Sequence, residues 1–152
     1  MKTFFSLLLI YSSLFAQVLK DFNSDGTVSV LTFGDSITAG VGDSQGLGGY
    51  PKRLGNYLGI PVSNRGISSE RLITDGQARF PSVMLSSSAD IVVILEGAND
   101  AIFRESSSDY ERALQRVINV ATALGKKVVL GAPQRPCCNK GARGPFTDAY
   151  AG

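Results

Sequence analysis

The sequence predicts an α/β fold, a parallel β-sheet with helices on both of its faces. Three observations carry this. Strand-like and helix-like segments alternate along the chain, the pattern of βαβ units. Residues 90–95, Asp-Ile-Val-Val-Ile-Leu, form a nearly continuous apolar run, as a strand covered on both faces does. Residues 108–124 repeat Tyr110, Ala113, Leu114, Val117, Ile118, Ala121 and Leu124 at helical intervals.

The elements follow in order. Residues 28–33 are rich in β-branched and aromatic residues, a strand signal, and Gly34-Asp35-Ser36 ends them abruptly. A glycine-rich loop spans residues 40–49. Tyr50-Pro51 opens a helix, since proline fits a first turn where no amide hydrogen is required. Leu54, Tyr57 and Leu58 share one face of it, and Gly59 is a natural stop. A short strand is expected over residues 60–64, then a turn at Arg65-Gly66. Residues 68–88 are the least regular, with a short helix expected over 70–74 and a serine-rich connection at 86–88. The third strand ends at Glu96-Gly97-Ala98-Asn99-Asp100. The long helix has capping-box spacing at Ser108 and Glu111, and Gly125 closes it. Residues 127–131 read as a fourth strand, and Thr147-Asp148-Ala149-Tyr150 as the start of another helix.

The chain has 152 residues, 43% of them hydrophobic, enough for one small core. A net charge of +2 with scattered basic residues implies neither a nucleic-acid partner nor a stable membrane partner. Lys126 and Lys127 read as a solvated pair at a helix exit. Residues 1–16 differ from the rest: Lys2, an apolar run over 4–15, and Ala16 suited to cleavage. They read as a signal peptide, with an uncleaved anchor as the alternative, and place the protein outside the cell or in the periplasm. Residues 17–27 are a polar lead-in, and 28–152 carry the domain. Export permits disulfides, but the two cysteines, Cys137 and Cys138, are adjacent, so a bond between them would close a strained ring. Two thiols without histidine do not match zinc-site spacings.

In an open parallel sheet, functional groups collect at the carboxyl ends of the strands. Three such ends carry polar, glycine-rich turns: Gly34-Asp35-Ser36, Asn64-Arg65-Gly66 and Gly97-Ala98-Asn99-Asp100. Acyl transfer needs a nucleophile on a tight turn and donors aimed at a developing oxyanion. Ser36 is the candidate nucleophile. The amides of Ser36 and Gly66 and the Asn99 carboxamide are candidate donors. The spacing in residues 40–49 is not G-x-G-x-x-G and lacks a P-loop lysine, so this stretch reads as a mobile loop beside the site, not a nucleotide cradle.

Together the three turns, in order and each after a strand, resemble the signature blocks of the SGNH (GDSL-like) hydrolases over about residues 28–133. The resemblance implies a flavodoxin-like three-layer α/β/α sandwich. It also implies a carboxylic ester hydrolase that acts on a small ester substrate with Ser36, Gly66 and Asn99, using no metal or organic cofactor. In that family a histidine near the C-terminus, in an Asp-x-x-His block, serves as the base. This sequence has no histidine. The expectation is therefore a domain truncated at its C-terminus, poorly folded and nearly inactive on its own. Asp35 is expected to brace the nucleophile turn and Asp100 to cap the segment after it. A non-catalytic acyl- or glycan-binding relative is the alternative; a flavodoxin-like nucleotide binder is disfavoured by the glycine spacing.

Overall fold

The computed structural model describes residues 19–132. The expectations for the signal peptide, the cysteine pair and the last helix lie outside the described residues. Four parallel strands, β1 (Val30–Gly34), β2 (Val62–Gly66), β3 (Ile91–Leu95) and β4 (Lys127–Leu130), form one sheet in the order β2-β1-β3-β4. The helices are α1 (Ser36–Ala39), α2 (Gly49–Leu58), α3 (Gln77–Leu85), α4 (Ala98–Ile102) and α5 (Ser107–Ala123). A π-helical turn, Leu72–Gly76, leads directly into α3. This is the alternating α/β order that the sequence predicts. With right-handed crossovers, the strand order puts α2 on one face and α3 and α5, which pack together, on the other.

Burial explains why these segments are strands. All five residues of the central β1 are buried and those of β3 are buried or half-buried, which is why β3 reads as an apolar run. The flanking strands β2 and β4 are mostly exposed. The core lies between the sheet and α3/α5: Leu31, Phe33, Val92 and Ile94 meet Leu72, Phe80, Met84, Ala113, Val117 and Ala121. Phe33 and Phe80 pack edge to face with centroids 4.8 Å apart, a favoured aromatic geometry.

The structure corrects several local expectations. Residues 77–85 are helical although Pro81 lies inside them. The expected helix over 70–74 is instead the π turn that begins at Leu72. Tyr57 is 89% exposed; α2 lies against the edge strand β2 and buries Pro51 instead. The capping box at Ser108 and Glu111 does not form, because the cap lies two residues earlier, at Ser106, and Ser106 Oγ bonds Ser108 Oγ at 2.8 Å. Lys126 is not solvated: it is buried and donates to the carbonyls of Ser87 and Ala89, each at 2.8 Å, and desolvation lowers its pKa. Among the described residues no helix is long and apolar enough to cross a membrane.

Candidate active site

The strand register brings the three motifs to one edge. Gly34, the last residue of β1, lies opposite Gly66 of β2 and Leu95 of β3. Helix α1 begins at Ser36 and sits directly on this edge. A Cβ at Gly34 would come within 2.2 Å of Leu95 O and Thr38 Oγ1, and one at Gly66 within 2.1 Å of Ala39 N. Both positions therefore require glycine for space. Asp35 caps α1: its Oδ1 accepts from Ile37 N at 2.9 Å. This is the bracing expected of it. Ser36 is the first residue of the helix, where the amide hydrogen has no intrahelical acceptor. Its half-buried hydroxyl has no hydrogen-bond partner among the described residues.

The other two candidates are already engaged. Gly66 N–H donates to Asn64 Oδ1 at 2.8 Å, while Asn64 Nδ2 donates to Thr38 O at 2.8 Å. Asn64, Arg65 and Gly66 belong to the end of β2 and not to the expected turn, and the Asn64 carboxamide ties that strand end to α1 and covers the Gly66 amide. Asn99 Nδ2 donates to Glu70 O at 2.8 Å. That uses one of its two amide hydrogens. Asp100 is buried and accepts from Leu72 N at 2.9 Å and Ile73 N at 3.0 Å. It therefore caps the earlier π turn, not the segment that follows it, because that turn presents its free amides to the end of β3.

Beneath this edge lie four buried carboxyls, Asp35, Glu70, Glu96 and Asp100. They are not arranged to share a metal ion: among the described residues no such group of three or more exists. Glu70 is ion-paired with Arg79. Among the described residues Glu96 has no cation, and as a carboxylate neither of its oxygens finds a donor. Burial, then a hydrogen bond and repulsion from Glu70, then repulsion from Asp35 and Asp100, push its pKa up to about 10. Glu96 is thus a neutral acid at pH 7, and its proton provides the donor for the bond to Glu70, a bond that the ionised form lacks. Burial also raises Asp35 and Asp100, against the lowering effect of the amides they accept from. Tyr110 OH donates to Glu96 O at 3.1 Å and leaves no room for a side chain at Gly97, whose φ is +107°.

A sequence profile of the GDSL-like lipase/acylhydrolase family matches residues 32–152. The chain belongs to this family. Its architecture is shared with solved structures. A lipolytic protein of the G-D-S-L family from Desulfitobacterium hafniense DCB-2 superposes with a TM-score of 0.71 at 23% identity, over 81% of this chain and 67% of that one. AlinE4, an SGNH-hydrolase family esterase, gives 0.67 at 23% identity, over 82% and 67%. TesA gives 0.65 at 30% identity, over 80% and 68%. No match was found among curated protein sequences.

In this GDSL-like chain the glycine-rich loop is tied together by one carboxylate. The Asp43 carboxylate accepts from the amides of Gln45 (3.2 Å), Leu47 (2.9 Å) and Gly49 (2.9 Å) and pairs with Arg53 at 3.1 Å. The amides of Gly49, first, and Gln45, together with Arg53, hold its pKa below the usual carboxylate range. Two open clefts border the site. One, about 390 Å³, is lined by Ile37, Val41, Tyr50 and the loop. The other, about 560 Å³, is lined by Ile67, Glu70, Thr74 and Arg79. Sequence reasoning missed Glu70, Arg79 and Glu96. The one available signal was a glutamate directly after an apolar strand, a costly place for a charge.

Proposed function

We propose that this chain carries the acyl-hydrolysing site of its family, with Ser36 as nucleophile. One observation carries the reading. The unpartnered Ser36 hydroxyl stands at the start of α1, on the sheet edge where Gly66 and Asn99 also arrive. Ser36 Oγ attacks the acyl carbon of a small carboxylic ester. The Ser36 and Gly66 amides and Asn99 Nδ2 receive the oxyanion, each worth roughly 3–4 kcal/mol of transition-state stabilisation. The alcohol leaves carrying the proton that Ser36 gives up, passed through water, and a water molecule then releases the acid from the acyl-serine and restores the Ser36 hydroxyl. Gly66 N–H reaches the oxyanion by leaving or sharing Asn64 Oδ1. The exposed Ile37, Val41 and Ile67 supply apolar walls for the acyl or alcohol group.

The sequence contains no histidine, so no imidazole of this chain takes the serine proton. The oxyanion donors alone would support a rate roughly 10³–10⁴ over water. The test is labelling of the 152-residue protein with a fluorophosphonate, followed by peptide mass analysis. Slow modification at Ser36, abolished in Ser36→Ala, supports the reading; an unmodified Ser36 at saturating probe refutes it. The proposal includes export by residues 1–16. N-terminal sequencing of the protein recovered outside the cytoplasm checks this, and retention of the full chain inside the cell would refute it.

A further inference from the structure

We propose that Arg79 and Glu70 form a positioning pair that holds both remote oxyanion donors, the Gly66 amide and the Asn99 carboxamide. The proposal rests on the reading of Ser36, Gly66 and Asn99 given above.

Arg79 joins three parts of the site. Its Nη2 donates to Arg65 O at 2.8 Å and to Glu70 Oε1 at 2.6 Å, and its Nε donates to Glu70 Oε2. Its guanidinium lies 4.0 Å from the centroid of Phe33, which precedes the nucleophile turn on β1. The first contact matters most. Arg65 C=O and Gly66 N–H are the two ends of one planar peptide unit. Holding the oxygen fixes the direction of the N–H, and a cation on the oxygen makes that N–H a stronger donor.

Glu70 completes the arrangement through two different groups. Its side chain fixes the Arg79 fork, and its backbone carbonyl accepts from Asn99 Nδ2. One residue therefore sets the geometry of both donors. The backbone marks the same place: Ser69, immediately before Glu70, has φ of +65°, a left-handed conformation that serine rarely adopts. That local strain turns the chain so that Glu70 points inward, where its side chain is 2% exposed. Lysine cannot replace Arg79 here, because a point charge on a flexible stem does not bridge a carboxylate and a carbonyl in one plane.

The test compares the full chain with Arg79→Lys and Glu70→Gln. Labelling by a fluorophosphonate is resolved into the binding constant KI and the rate constant kinact, and amide spectra and hydrogen exchange are recorded in parallel. The expected result is a kinact lower by about tenfold or more, with KI changed by less than about twofold, since the donors act on the developing oxyanion. Gly66 amide exchange should quicken by about tenfold and the Asn99 side-chain resonances should shift, while β3 amides keep their protection. A kinact that is unchanged, or a loss confined to KI, overturns the proposal. If wild-type Ser36 is never labelled, the nucleophile reading fails separately. The Gly66 and Asn99 signals then decide this one: altered signals support the pair as their holder, and unaltered signals overturn it. Should Arg79→Lys fail to fold, Glu70→Gln carries the same comparison.

Discussion

Replacing Glu96 by glutamine removes an acid while keeping its shape and its ability to donate to Glu70. Glu96 sits 2% exposed with no cation, and its pKa is raised to about 10 from an ordinary 4.5. Between those values the folded chain binds a proton that the unfolded chain has released. Stability therefore falls as pH rises through that window, by about 1.4 kcal/mol per unit. At pH 7 the accumulated cost is about 3 kcal/mol, an upper figure because the neighbouring carboxyls titrate with it. Glu96→Gln should thus be more stable than the parent at pH 7 by up to about 3 kcal/mol, or roughly 10 °C in Tm. The two proteins should converge near pH 4, where Glu96 is protonated in both states. Urea melts at half-unit intervals from pH 4 to 9 measure this. A residual slope of the same sign will remain in the variant, since Asp35 and Asp100 are also raised. Equal stability at pH 8, or a gap that widens toward acid, would refute the reasoning.

Three further outcomes are expected. Gly66→Ala places a Cβ 2.1 Å from Ala39 N, against backbone that cannot step aside, and should cost about 3 kcal/mol or more in urea melts. Lys126→Met leaves the carbonyls of Ser87 and Ala89 without their donor and should cost about 2–4 kcal/mol by the same assay. Asp43→Ala removes the shared acceptor of the glycine-rich loop, so exchange of the Gln45, Leu47 and Gly49 amides should quicken by about tenfold while core amides stay protected.

The strands were legible where both faces are covered. β1 and β3 lie at the centre of the sheet, so burial acts on both faces: β3 is an apolar run and β1 is rich in β-branched and aromatic residues, with Thr32 its one polar side chain. Helix α5 was legible because one face meets the core and the other meets water. Helix α3 was not, because Pro81 reads as a breaker and Arg79, whose fork reaches back to Glu70 and Arg65, interrupts the apolar spacing. Tyr57 misled in the opposite sense: it has the right interval, but among the described residues no sheet extends beyond β2 to cover it. At the carboxyl edge of the sheet, short motifs located Gly34, Ser36, Gly66 and Asn99. They did not show that Gly34 and Gly66 are small so that α1 can rest on the strands. Nor could they reveal Glu70 and Arg79, whose relation depends on a turn with one residue in a left-handed conformation.

At the opposite pole of the sheet, the Asp90 carboxylate has a different consequence. It accepts from the amides of Phe22, Asn23 and Ser29 and so anchors the entering chain at the amino end of β3. Strands of five residues separate that pole from Ser36 by roughly 17 Å. The molecule has a handle at one end and a mouth at the other. A tether joined ahead of Leu19, whether a purification tag or a link to a bead, would hold the protein by the handle and leave the mouth facing the surrounding solution.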